Sequence, residues 1–212
     1  MNTMPSSALT VENEARPASA QNLSRRQVLN LGCGRKQIPG AVNVDATPDT
    51  NPDVVHDLNR RPWPFPENHF AEVIATDVVE HLDDLIATFE EIHRVCRHGA
   101  VVRVAVPHFS SGNAFTDPTH RHFFSYFTFD CFTEGDEHSF YTRARLRMRH
   151  RQIIFWPTLL NKIVWRLANR YPMWYELRWA WIFPALFVSF ELEVIKGTNS
   201  EDGRTSYSET QS

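Results

Sequence analysis

A chain of 212 residues with 42% hydrophobic side chains suits one α/β domain with a sizeable core, plus tails or an insertion. Its formal net charge of −3 excludes the global basic footprint of a nucleic-acid binder, and no apolar run is long enough to span a bilayer. Cys33, Cys96 and Cys131 are odd in number and widely spaced, which fits reduced thiols in a cytoplasm better than a disulfide framework.

Residues 1–24 are rich in Ser, Ala, Asn, Pro and Glu and lack the apolar core of a secretory leader, so a disordered tail is expected. Residues 197–212 read the same way, leaving one domain over 25–196. Within it, the run Val28–Leu31 stops at Gly32 and Gly34, and the run Ala41–Val44 stops at Asp45. A strand, a glycine turn and a second strand ending in a carboxylate can hold an adenosine-like ligand on an open α/β sheet. The dinucleotide fingerprint is not met. Its third glycine is missing, and Asp45 follows Gly34 by eleven residues where about twenty are expected. The six residues Arg35–Gly40, Pro39 among them, fall short of the ~10–12 that a full βαβ connection needs. The first helix is therefore expected to be cut to about one turn or to be absent.

Further strand-like runs follow at Val54–Val55, Val73–Ala75 and Val101–Val106, the first of them leading into Asp57. Leu85, Ile86, Phe89, Ile92 and Cys96 recur at helical steps, with Asp83 and Asp84 at the start and Arg97, His98 and Gly99 at the end. Alternating strands and helices argue for a mostly parallel sheet. Beyond Pro107, residues 107–132 are dense in His, Phe and Ser, residues 139–156 return to strand-like alternation, and Phe187 opens a last alternating strand.

The order of these motifs over residues 27–106, from Leu31-Gly-Cys-Gly34 through Asp45 and Asp57 to Asp77-Val-Val-Glu-His-Leu82, resembles the class I S-adenosylmethionine-dependent methyltransferases. With the compact loop and the later Asp117-Pro-Thr-His120 it is similar to a small bacterial subset associated with polysaccharide or natural-product pathways. The resemblance implies a three-layer Rossmann-like α/β fold, mostly parallel with an antiparallel last strand, and S-adenosyl-L-methionine as cofactor. It places Leu31, Gly32, Cys33 and Gly34 beside the methionyl part of the cofactor and Asp45 on the ribose. Asp57 and Leu58 then fall at the adenine, and Asp77 and Val78 on the methionine side. Loop carboxylates that merely cap helices are the structural alternative for Asp45 and Asp57. Asn30 stands where many relatives carry an acid.

The acceptor is expected above the ends of the fourth and fifth strands, in 107–132, as a small molecule or glycan methylated on oxygen or nitrogen. His120 is the first candidate for a base and His108 the second, since imidazole accepts protons near neutral pH. Asp117 can equally cap a turn. No metal site is assigned, because Asp117, His120 and His122 match no standard zinc spacing. A non-catalytic cofactor-binding module is the alternative to an enzyme.

Arg143, Arg145, Arg147, Arg149 and Arg151 alternate, so in a strand all five would share one face, either against anions or in solvent at a sheet edge. Over 157–184, Leu159, Leu160, Ile163, Val164, Leu167 and Ala168 form one helical face, and Trp174, Trp179 and Trp181 follow with basic residues between. That insert is expected to be a lid over the sheet face bared by the missing helix. Contact with the inner face of a membrane, suited to a phosphorylated or lipid-linked acceptor, is the alternative.

Overall fold

Strand β1 (Val28–Leu31), β2 (Val42–Asp45) and β3 (Val54–Val55) line up in parallel, and β4 (Phe70–Thr76) and β5 (Cys96–Pro107) continue on the other side of β1. The last strand, β7 (Phe187–Val194), runs antiparallel between β5 and the edge strand β6 (Leu146–Ile154), giving the order β3-β2-β1-β4-β5-β7-β6. These positions come from a computed structural model that describes residues 25–133 and 139–197. The tails expected at 1–24 and 197–212 lie outside the described residues, Gly197 apart. As the six-residue spacing predicts, no helix joins β1 to β2.

Helix α1 (Leu85–Val95) starts where Asp84 accepts the Ala87 amide hydrogen at 3.0 Å. It ends three residues earlier than the charge pattern suggests. Cys96 is already extended, and Gly99 (φ +76°) lies within the first stretch of β5 rather than capping the helix. Phe89 and Ile92 are fully buried against the sheet, and Phe89 meets Phe129 and Phe132 at ring centroids of 4.9 and 4.6 Å. Phe129 also packs edge-on against Phe190 of β7. The Phe-rich segment after β5 thus fills the core where a crossover helix would lie, each ring contributing about 1.5–3 kcal/mol of burial.

The other face of the sheet is a polar ladder. Arg103 stands beside Ile74 and Glu191 in register, and its guanidinium pairs with both Glu72 (2.8 Å) and Glu191. Glu193 takes Arg147 and Arg149 at 3.3 and 3.2 Å. The five-arginine stripe is broken. Arg143 and Arg145 precede β6, and a register shift between Met148 and His150 turns Arg151 to other partners.

After a one-turn α2 (Asn113–Thr116), the aromatic insert forms α3 (Leu159–Arg170) and α4 (Pro172–Arg178). Its anchor is a second small core of Ile153, Phe155, Ala168, Tyr175, Ala180 and Ala185, at the end of β6. The expected lid over β1 and β2 is not there. The insert is tethered to the β6–β7 side, and the crossover between β1 and β2 is held by side-chain amides instead. No helix among the described residues is long and apolar enough to cross a membrane.

Candidate active site

The glycine turn after β1 depends on backbone that only glycine adopts easily. Gly32 and Gly34 have φ of +57° and +47°, and a Cβ on Gly32 would lie 2.3 Å from Val78 Cγ2. The turn therefore seats directly on the end of β4. Asn30 and Asn43 stabilise the short crossover from inside the sheet. Asn30 Nδ2 donates to Asn43 Oδ1 at 2.9 Å and to the Lys36 carbonyl at 3.1 Å, while Ile38 N donates to Asn43 Oδ1 at 2.8 Å. Both amides are buried and satisfied, so asparagine in place of an acid serves the loop well.

At the end of β2, Asp45 Oδ2 accepts the Gly34 amide hydrogen at 2.7 Å and Oδ1 accepts that of Thr47 at 2.8 Å. Each oxygen keeps a lone pair for another donor. A cavity of about 370 Å³ opens beside it, lined by Gly32, Asp45, Asp57, Leu58, Asp77 and Val78 among others. Leu31, Cys33 and Gly34, expected beside the cofactor, do not line the cavity. The Cys33 thiol is pushed up to about 11 by burial and by the charges of Asp45 and Asp53, so it packs as a neutral group. Asp57 Oδ1 accepts from the Asn59 amide at 3.0 Å, and the Leu58 carbonyl takes the Trp63 indole N–H at 3.0 Å. Asp77 has φ +52° and its carboxylate lies 3.3 Å from Lys36 Nζ.

Next to this cavity the loop 117–122 folds back onto the turn after β4. Arg121 N donates to the Glu80 carbonyl, and His122 Nε2 to the Leu82 carbonyl, both at 2.8 Å. Asp117 Oδ1 accepts from the Thr119 amide (2.8 Å) and hydroxyl (2.6 Å), a turn-capping role that holds its carboxyl below the usual range. With its hydrogen spent, Thr119 Oγ1 accepts from His81 Nδ1 at 2.8 Å. His120 Nδ1 donates to the Ala114 carbonyl at 3.1 Å, and the His81 and His120 rings lie 4.7 Å apart. Glu80 is 1% exposed, its carboxylate oxygens have no partner among the described residues, and burial pushes its pKa up to about 7.

This fold has structural relatives. The structure matches an S-adenosylmethionine-dependent methyltransferase from Archaeoglobus fulgidus with TM-score 0.57 at 17% identity, over 82% of this chain and 88% of that one. A second S-adenosylmethionine-dependent methyltransferase, from Mesorhizobium loti, matches with TM-score 0.52 at 12% identity, over 81% and 92%. At such identities the likeness is one of fold. No curated protein sequence matches the chain. The family described as "Methyltransferase domain" matches residues 29–104, from β1 to β5. Residues 29–104 are thus a methyltransferase domain of the S-adenosylmethionine-dependent type. The residues lining the cavity fit S-adenosylmethionine chemically. Asp45, Asp57 and Asp77 offer acceptors for hydroxyl, amine and cationic groups, and Leu58, Val78 and Leu82 supply apolar walls.

His108, the second candidate base, lies elsewhere. It is fully buried at the end of β5, with Nδ1 2.8 Å from Ser110 Oγ and Nε2 3.1 Å from Glu176 Oε1. Glu176 also accepts the Tyr126 amide hydrogen at 2.6 Å, so the pair fastens α4 to the core and His108 does not line the cavity. No spacing pattern marks Glu80, His81 or Glu176. In the sequence Glu80 and His81 stand only inside the Asp77–Leu82 motif, and the fold alone brings them to His120.

Proposed function

We propose that Asp45 binds the ribose hydroxyls through its two remaining lone pairs, Asp57 and Leu58 hold the adenine, and Gly32, Asp77 and Val78 border the methionyl arm. The observation that carries this reading is the Asp45 carboxylate, fixed by two backbone amides at the rim of the cavity. When bound, the cofactor supplies a methyl group activated on a sulfonium sulfur, so the protein's task is chiefly to position the acceptor. The acceptor docks beyond Asp77, between the turn after β4 and the loop 117–122, where His120 Nε2 presents its lone pair to an oxygen or nitrogen.

We further infer a glycan-type acceptor carried on a lipid or a phosphate. Support comes from the insert beside this end of the sheet. Leu159, Ile163, Leu177 and Trp181 are 82%, 62%, 72% and 69% exposed, and Lys162, Arg166, Arg170 and Arg178 share those helices. Apolar side chains ringed by cations suit an anionic membrane surface. Calorimetry with S-adenosylhomocysteine tests the cleft, and methyl transfer from labelled cofactor to activated sugars and lipid-linked glycans tests the acceptor. Saturable binding and transfer to the lipid-linked class are expected. Binding without transfer to any acceptor would leave a cofactor-binding module, and binding of NADH instead would replace the reading altogether.

A further inference from the structure

We propose that Glu80, His81 and His120 form a site for one divalent first-row metal ion of the zinc class, placed to hold an oxygen of the acceptor. This rests on the reading that the acceptor docks beyond Asp77. One ligand atom from each of the three residues lies within 4.8 Å of the others, so side-chain movements of about 1–2 Å bring them to bonding distance around a common ion.

Three independent features prepare the site. First, the tautomers are set. The Ala114 carbonyl can only accept, so His120 Nδ1 carries the hydrogen and Nε2 holds the lone pair. The Asp117–Thr119 hydrogen bond likewise leaves Thr119 Oγ1 to accept from His81 Nδ1, freeing His81 Nε2. Metal-bound histidines are typically oriented by such outer hydrogen bonds. Second, the Glu80 carboxylate is buried and both its oxygens lack a partner among the described residues, an arrangement costly unless a cation completes it. Third, the loop bearing His120 is fastened to the Glu80 backbone through Arg121 N and His122 N, at 2.8 and 3.3 Å. The ligands thus sit on one braced unit.

Two imidazoles and one carboxylate favour Zn²⁺, Fe²⁺ or Mn²⁺ over Mg²⁺ or Ca²⁺, which prefer oxygen donors throughout. Three protein ligands leave a coordination position open. A hydroxyl bound there loses its proton to solvent water more readily, and its oxygen takes the methyl group as the sulfonium carbon–sulfur bond breaks and S-adenosylhomocysteine leaves. This selects oxygen over nitrogen as the methylated atom, and His120 acts on the acceptor through the ion and not as its base.

Cobalt(II) is the probe, titrated into the full chelator-treated chain and followed by its visible d–d absorption. Saturation at one equivalent is expected, with affinity lowered about tenfold or more in E80Q and in H120A and unchanged in H150A on exposed β6. His81 and His120 are only part-buried, so H120A and H81A report on ligation even where E80Q perturbs folding. A spectrum that does not saturate, or that survives H120A and H81A, overturns the site. S-adenosylhomocysteine calorimetry on the same samples separates the two ideas: cofactor binding without cobalt binding defeats the ion alone, and loss of both defeats the cleft.

Discussion

The Gly34 amide donates to Asp45 Oδ2 at 2.7 Å, so the glycine turn and the end of β2 act as one rigid unit. Replacing Asp45 by Ala removes the acceptor of that amide, of the Thr47 amide and, on the proposed reading, of the ribose. S-adenosylhomocysteine binding should weaken by about 1–3 kcal/mol, the usual loss for a hydrogen-bonded buried partner. Calorimetry reads it directly, and an unchanged affinity would take Asp45 out of the ribose role.

Gly32→Ala should be worse than its size suggests. The new Cβ meets Val78 Cγ2 at 2.3 Å and Val78 Cβ at 2.7 Å, on a backbone of φ +57°. Either the turn or the end of β4 must move, at a cost of more than about 1 kcal/mol in stability. Cofactor affinity should fall with it. The double variant G32A/V78A should recover only part of the loss, because Val78 Cβ remains and the positive φ still penalises alanine. Full recovery in thermal melts would show the contact to be soft.

Much of this was legible because the signals were local. β1, β2, β5 and β7 announce themselves as apolar runs, and the absent first helix follows from six residues being too few to build one. Arg147, Arg149 and Arg151 do fall on an edge strand, as the solvent alternative has it, but a single shared face assumes an unbroken register, and one shift near Met148 re-aims Arg151. A helical apolar stripe usually covers a core, whereas in α3 only Ala168 is buried. Glu80 and Glu176 were invisible for another reason. Their meaning comes from the loop 117–122 and from His108, 68 residues from Glu176, and no spacing rule reaches that far.

Glu91 and Arg94 govern the loop that carries Leu58. Glu91 takes Arg94 through both oxygens at 2.8 Å and accepts the Trp63 amide at 2.8 Å, while Arg94 donates to the Trp63 and Phe65 carbonyls. Burial alone would raise the Glu91 pKa, but the hydrogen bonds from Arg94 and Trp63 hold it below the ordinary carboxylate range. A depressed folded pKa stabilises the protein above the unfolded value of about 4.3, and that share is lost as pH falls through the folded value. E91Q should therefore lower urea stability by about 2–4 kcal/mol at neutral pH. The gap to the parent should narrow in acid. A gap constant down to the lowest pH would exclude the ionised pair as its source.

Arg151 and Arg147 separate half-buried from exposed guanidinium. Arg151 bonds Asp130 at 2.5 Å and the Tyr126 carbonyl at 3.2 Å, and lies 4.3 Å from the Tyr126 ring centroid. Arg147 is 65% exposed on the polar ladder. R151A should cost about 1–3 kcal/mol and R147A less than about 0.5 kcal/mol in chemical denaturation. Equal costs would mean that the register shift has no energetic consequence.

The exposed side chains of α3 and α4 give the membrane reading its sharpest test. Trp174 and Trp179 pack at 5.4 Å, and the groove they share with Leu160, Ile163 and Leu167 has a volume of about 260 Å³. A water-facing groove of this kind costs solubility unless something apolar covers it. Flotation with vesicles containing anionic lipid should carry the protein upward, and neutral vesicles should carry less of it. Adding salt should weaken the contribution of Lys162, Arg166 and Arg170 but spare the apolar part. The double substitution L159S/I163S alters two well-exposed positions and should abolish flotation while leaving S-adenosylhomocysteine binding intact. Protein that stays at the bottom of the gradient with anionic vesicles would remove the membrane from the account and leave the groove to a soluble partner or a second copy of the chain.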